Sequence, residues 1–365
     1  MGALTEGNED ESVEVWLAYG RDQSQVIRNL INNKFTPETN VAVNLKLVAG
    51  GTLLPSILAK QGPDVYLGLG SGDVINYAIR GALESVESME DYEETCSNFN
   101  EEAMMVLRIE DSKGVEHCYG LPETQSFAMM FVREDILAEL DIEIPKTWND
   151  VKEAIPVLQA NNMEIAMIND SNIFLYQMGG ELFADGGMRI NLDSNLALTA
   201  FDDMCALFTM YSFPYQYNFA NRFRTGEMPI GFADYTGTYN HLKVFATEIE
   251  GLWSFYPLPG MEDEEGNINN DAVAGVSAVV MITGTDRKAD AWKFMKWYVG
   301  AECQTDYSNE MVAILGPSAK HPTANKEALE SLPWTREEYE QIKTQFDNLA
   351  GIPNYPGAYI VGRYT

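Results

Sequence analysis

Basic residues are scarce in this 365-residue chain, where 24 Lys and Arg stand against 55 Asp and Glu for a formal charge of −31. A surface of that sign repels a phosphate backbone and an anionic bilayer, so it argues against nucleic-acid binding and electrostatic attachment to a membrane. Histidine is nearly missing, at positions 117, 241 and 321 only, and no HExxH occurs. The chain therefore offers little ordinary imidazole acid–base machinery. Four cysteines, Cys96, Cys118, Cys205 and Cys303, form no CxxC pair. A Cys/His zinc site is unsupported, and isolated buried thiols are the simplest reading, although an even number permits disulfides. No window holds 18 consecutive apolar residues, so no helix is expected to span a membrane. The opening MGALTEGNEDES has neither a basic n-region nor an apolar h-region. Residues 1–12 read as a disordered tail or cloning remnant, and a signal peptide already removed would leave the same start.

What is present points to a folded protein. The apolar fraction is 45% and the aromatic fraction 11%, enough for one or two cores and too much for a disordered chain. VEVWLAY at 13–19 reads as a strand, VIRNLINNKF at 26–35 as an amphipathic helix, and VAVNLKLVA at 41–49 as a second strand. LLPSILAK is a short helix, and GPDVYLGLG is a third strand entering a Gly-rich turn at Gly68, Gly70 and Gly72. This βαβ alternation predicts a mainly parallel sheet covered by helices. The acidic run over 84–94 is a solvated surface. HCYGLPETQSFAMMFVRED at 117–135 reads as a turn, an extended crossing and a helix start, with Pro122 opposing a regular central strand. Thr147 and Asp150 fit a capping box for the next helix, which Pro156 is expected to interrupt or bend.

A second unit is expected over about 160–275, with short strands near 164–168, 229–233 and 253–256 and helices over 172–183 and 195–211. AVAGVSAVVMITG, from Ala272 to Gly284, reads as a strand. The helix after it buries Ala291, Phe294, Met295 and Tyr298, with Trp292 on the flank. A further helix is predicted over 335–349.

Enzyme signatures fail on inspection. There is no GxSxG elbow. Gly68-Leu69-Gly70-Ser71-Gly72 matches neither a Walker loop nor GxGxxG, and it follows the third strand. It can be a turn facing a ligand or a plain tight turn. Glu123 with Asp234 is a conceivable carboxylate pair for a glycoside hydrolase, one of many among 55 acids. EDEEGNINND at 262–271 is dense in oxygen ligands but lacks EF-hand spacing, so a solvated loop is preferred over a weak calcium site. No cofactor is called for. Two α/β units joined by extended crossings suit a small solute held near strand ends. FADYTGTYN at 232–240 combines rings, which can lie on sugar C–H faces, with polar partners for hydroxyls. Tyr235 and Tyr239 share a face only if that segment is helical.

These pieces, in order, resemble the extracellular solute-binding proteins of ABC importers, in the sugar-binding, maltose-binding-protein-like group. The resemblance runs from about Val13 to Tyr359 through PDVYLGLGSGDVINYAIRGALESV, YGLPETQSFAMMFVRED, IPKTWNDVKEAIPVL, FLYQMGGELFADGG, FRTGEMPIGFADYTGTY, WSFYPLPG and AVAGVSAVVMITGTDRKADAWKFMKWYVG. It implies a two-lobed periplasmic-binding-protein-like α/β fold, each lobe a mainly parallel sheet with flanking helices and a ligand cleft between lobes. The implied division is 13–122 plus 272–325 for the N-terminal lobe and 123–271 plus 326–365 for the C-terminal one, truncated at its end. It implies a monomeric, non-enzymatic carbohydrate receptor that closes on its ligand and delivers it to a permease. Such a receptor is extracellular and lipid-tethered, or periplasmic in a Gram-negative cell.

Implied contacts come from Tyr19, Arg21 and Asp22, from Ser71, Gly72 and Asp73, and from Glu123 and Gln125 in the crossing. The second lobe adds Asn172, Tyr176, Asp234, Tyr235 and Tyr239, and Tyr359 is the last aromatic contact. Tyr235 is favoured as the stacking platform. Gly68 stands where the group usually has a Trp, which points away from a maltose-type ligand.

Overall fold

The computed structural model describes residues 2–3, 12–111, 113–168 and 170–355. The chain forms two compact units: residues 1–125 with 275–333 and 353–365, and residues 126–274 with 334–352. No helix among the described residues is long and apolar enough to cross a membrane.

The first unit is built on a six-stranded sheet in the order Gly2–Ala3, Val43–Leu47, Val13–Leu17, Val65–Gly70, Gly275–Met281, Leu121–Ser126. Val13–Leu17 runs parallel to both Val43–Leu47 and Val65–Gly70. Gly275–Met281 is antiparallel to Val65–Gly70. In the strand Val13–Leu17, Val15, Trp16 and Leu17 are all buried, as expected of a strand covered on both faces. Pro122 lies in a strand after all, but at the edge of the sheet, where its missing N–H breaks no central ladder.

The Gly-rich segment is not a turn. Leu69 pairs with Ala278 and Tyr66 with Val280, so Leu67 and Gly68 together face Val279 across a bulge. Gly68 takes φ +74° there, a left-handed conformation that glycine adopts without a Cβ penalty. The strand continues to Gly70, which caps the helix Ser71–Ile79 directly.

The helix Arg21–Leu30 starts five residues before its expected beginning and buries Ser24, Val26, Ile27 and Leu30. It runs into a π-helical turn, Ile31–Phe35, whose Phe35 packs edge-on against Phe294 at 5.3 Å. The helix Lys288–Val299 buries Ala291, Trp292, Phe294, Met295 and Tyr298, the face its spacing predicts.

The second unit holds a four-stranded sheet in the order Trp253–Tyr256, Ala128–Arg133, Ile230–Asp234, Ile165–Ala166. Only its last pair is parallel; the other two are antiparallel. The expectation of a mainly parallel sheet is thus corrected here, because Ala128–Arg133 enters the sheet from the opposite end. The helix Trp148–Ala160 begins with the reciprocal Thr147–Asp150 box and runs through Pro156 without a break. Packing of Trp148, Val151, Ile155 and Leu158 into the core outweighs the hydrogen bond that proline forfeits. The helix expected over 172–183 stops at Gln177, and Gly179 follows at φ +75°. The Phe219 ring lies so close to the Gly231 backbone that a Cβ there would sit 2.1 Å from it.

Candidate functional site

In the first unit the candidate residues gather at one end of the sheet. The parallel strands Val13–Leu17 and Val65–Gly70 both end there, and each leads into a helix at Arg21 or Ser71. Ser277, paired with Gly70, touches Thr124 hydroxyl to hydroxyl at 2.6 Å and brings in the Leu121–Ser126 strand. Arg21, Asp22, Gly72 and Asp73 are exposed, and Ser71 and Tyr19 are half-buried. Two helix first turns therefore present polar groups at the carboxyl ends of parallel strands, where open α/β sheets hold ligands.

Glu123 and Gln125 share the inward face of the strand Leu121–Ser126 and are 1% and 0% exposed. Tyr19 Oη donates to Glu123 Oε1 at 2.6 Å. Burial pushes the Glu123 carboxyl above the usual carboxylate range, against the opposing pull of its phenol donors. Neither the amide nitrogen nor the amide oxygen of Gln125 has a hydrogen-bond partner, an unusual state for a buried side chain.

In the second unit Asp234 ends the strand Ile230–Asp234 and caps the helix Tyr235–Phe245, accepting the Gly237 N–H at 2.6 Å. The Ser126 hydroxyl donates to its other carboxylate oxygen. The capping carboxylate stays exposed and Asn172 half-buried. Helicity does place Tyr235 and Tyr239 on one face, but that face points inward. Tyr235 is 0% exposed and Tyr239 3%. The Tyr235 ring stacks on Phe127 at 4.5 Å, and Tyr239 meets Trp334 edge-on at 5.0 Å. The expected open stacking platform at Tyr235 is therefore corrected to a packed aromatic core. Tyr176 is also buried, on the helix Asn172–Gln177. Tyr359 lies outside the described residues.

The carboxyls a hydrolase would use are committed to local structure: Glu123 to buried phenols and Asp234 to a helix cap and Ser126. Among the described residues, no three or more His, Cys, Asp and Glu side chains gather as a metal would require. In the acidic loop the exposed Asp263 carboxylate braces its own turn, accepting the backbone N–H of Glu265 and Asn267 at 2.9 and 2.8 Å. It closes the hairpin Met261–Glu262 with Ile268–Asn269. Cys96, Cys118 and Cys303 are buried free thiols, and Cys205 is half-buried.

Sequence reasoning missed Tyr298 and the bulge at Gly68 as parts of this site. The first reads as one more residue on a core face of its helix. Two-versus-one pairing is invisible before the partner strand is known.

Two α/β units of mixed sheets flanked by helices, linked through the segments around 125 and 275, define the two-lobed fold of the periplasmic binding proteins. The chain belongs to the family of bacterial extracellular solute-binding proteins, whose profile matches residues 31–336. Its fold is similar to that of the sugar-binding protein MalE of Xanthomonas citri, at TM-score 0.77 and 18% identity, over 96% of this chain and 89% of that one. It is also similar to the maltose-binding MalE of Listeria monocytogenes, solved with maltose, at TM-score 0.73, 16% identity and coverage of 95% and 88%. A third likeness is to a solute-binding protein of Thermotoga lettingae bound to α-D-tagatose, at TM-score 0.68, 18% identity and coverage of 96% and 91%. At these identities the likenesses establish the fold. No curated protein sequence matches the chain.

Proposed function

We propose that this protein is the receptor of an ABC importer, capturing an uncharged carbohydrate outside the cytoplasm and handing it to a membrane permease. Family membership supports a solute-binding role without turnover. The carbohydrate class is supported by the sugar-binding proteins that share the fold. The observation that carries the reading is the sheet end of the first unit. There Arg21, Asp22, Ser71 and Asp73 are held in the first turns of two helices beside the half-buried ring of Tyr19. Charged and hydroxyl groups at fixed positions next to an aromatic ring are what sugar hydroxyls and C–H faces require. In a Gram-positive cell a lipid tether would keep the receptor at the membrane.

Titration calorimetry with maltose, maltotetraose and α-D-tagatose, alongside amino acids and inorganic phosphate, tests the class. Binding of at least one sugar, with the sugar recovered intact by chromatography, is expected. Binding only to an amino acid or to phosphate, or release of shorter sugars, would overturn it.

A further inference from the structure

Tyr19, Glu123 and Tyr298 are far apart in sequence and converge inside the first unit. The Tyr298 hydroxyl donates to Glu123 Oε1 at 2.6 Å, the same oxygen and the same distance as the Tyr19 hydroxyl. The second oxygen, Oε2, is buried, and the Gly68 backbone N–H joins the two phenols in favouring the charged form. The titratable groups facing this carboxyl are the phenols of Tyr19, Tyr298 and Tyr307, with the thiol of Cys303 farther off. Among the described residues, no cationic side chain acts on its charge state. On its other side the Tyr19 ring lies against the backbone of Gly68, where a Cβ would come within 2.4 Å of its hydroxyl oxygen and 2.5 Å of its Cε1. Only a residue without a side chain, in the left-handed conformation that Gly68 holds at φ +74°, leaves room for the ring.

We propose that Glu123 is a positioning residue: its shared hydrogen bonds hold the Tyr19 ring against Gly68 and tie it to the helix Lys288–Val299, so that the Tyr19–Asp22 turn is set before a solute arrives. That this turn meets the solute rests on the carbohydrate-receptor reading; the clamp itself does not. A buried carboxylate with no cation beside it is costly, and here burial outweighs the phenols and the Gly68 N–H that favour the charge, whereas a neutral acid avoids the charge penalty. As the acid, Oε1 is the carbonyl oxygen that accepts both phenols and Oε2 keeps the proton. Burial pushes the group in that direction. Glutamine can replace a neutral acid at this position, because it keeps the accepting oxygen and carries no charge. Alanine cannot.

The test is carbon-13 NMR of the full chain labelled at glutamate Cδ and tyrosine Cζ, followed across pH and assigned with Glu123→Gln and Tyr19→Phe. The Glu123 resonance should titrate above those of the exposed glutamates. The Tyr19 resonance should hold its place in Glu123→Gln and move in Glu123→Ala and in Gly68→Ala. Because the folded carboxyl binds its proton more tightly than the unfolded chain does, wild type should lose stability relative to Glu123→Gln as pH rises through the raised value.

With whichever of maltose, maltotetraose and α-D-tagatose binds wild type as probe, Glu123→Ala should weaken binding by about tenfold or more, the loss of roughly one good hydrogen bond's worth of positioning, and Glu123→Gln should recover most of it. A carboxyl that titrates with the exposed glutamates overturns the proposal, as does a Tyr19 resonance unmoved by both Glu123→Ala and Gly68→Ala. If Glu123→Ala fails to fold, Gly68→Ala, which keeps the carboxyl and displaces the ring, decides. If wild type binds none of the sugars, the carbohydrate reading falls and the resonances still judge the clamp.

Discussion

The ring of Tyr235 stacks on that of Phe127, with centroids 4.5 Å apart and planes 18° from parallel. Its hydroxyl is buried beside the Thr236 side chain. A side chain so placed contributes by packing, and its oxygen adds a desolvation cost. Tyr235→Phe should therefore leave stability unchanged or raise it slightly. Tyr235→Ala should cost about 3–5 kcal/mol, the usual range for emptying a buried aromatic site. Urea denaturation followed by tryptophan fluorescence checks both. A clear loss of sugar affinity in Tyr235→Phe with stability intact would return the hydroxyl to the binding site.

Trp148 donates its indole N–H to Gln177 Oε1 at 2.7 Å, and Gln177 Nε2 in turn donates to the carbonyls of Pro259 and Asp271 at 3.1 and 3.3 Å. Gln177 thus satisfies polar groups from three segments of the second unit. Replacing it by Leu fills the volume but leaves the indole N–H and both carbonyls without that partner. A loss of about 2–4 kcal/mol is expected from more than one orphaned group. Chemical denaturation measures it, and a change below about 0.5 kcal/mol would show that water replaces the amide without penalty.

Gly231 lies in the strand Ile230–Asp234 with the Phe219 ring against its backbone. Gly231→Ala should force that ring aside and cost about 1–3 kcal/mol by overpacking. The double variant with Phe219→Leu should recover part of the loss, since the two sites are in contact. Additive losses in thermal unfolding would mean that the ring can move freely.

His117 Nδ1 meets Glu87 Oε1 at 2.6 Å, and its Nε2 lies 3.7 Å from Asp111 Oδ2. The hydrogen bond to Glu87 holds the imidazole above its usual range. Although burial opposes it, bonds from His117 and the Cys118 N–H hold Glu87 below its own usual range. A raised histidine contributes stability that is full below its unfolded value, near pH 6.5, and is lost as pH rises through the folded value. The lowered carboxylate contributes above its unfolded value and is lost as pH falls. The stability gap between wild type and His117→Gln should therefore shrink on going from about pH 6 to about pH 8. Melting temperatures across that range read it directly, and a constant gap would remove the charged pair from the account.

Local pattern alone placed much of this fold. The alternation in VEVWLAY gives the strand Val13–Leu17, and the spacing of Ala291, Phe294, Met295 and Tyr298 gives the buried face of the helix Lys288–Val299. Thr147 and Asp150 close the box their separation announces. Each of these depends on neighbours within one or two turns or strand steps, which is the range a sequence exposes. The readings that changed all depended on distant partners. Pro156 stays inside a helix because the core holds that helix in place. Gly68 sits in a bulge because the strand Gly275–Met281 pairs around it.

The family follows from the order of elements along the chain, whereas the helix starts at Arg21 and Ser71 emerge only in the structure. Which tyrosines face inward emerges there too. Tyr235 and Tyr239 look alike on paper with Tyr19. Yet Phe127 and Trp334 enclose the first two, while Glu123, Tyr298 and Gly68 fix the third with one side toward solvent. A sequence determines what a side chain can do; only tertiary packing decides which of its faces and atoms are left free to do it, because burial and pairing are set by residues distant along the chain.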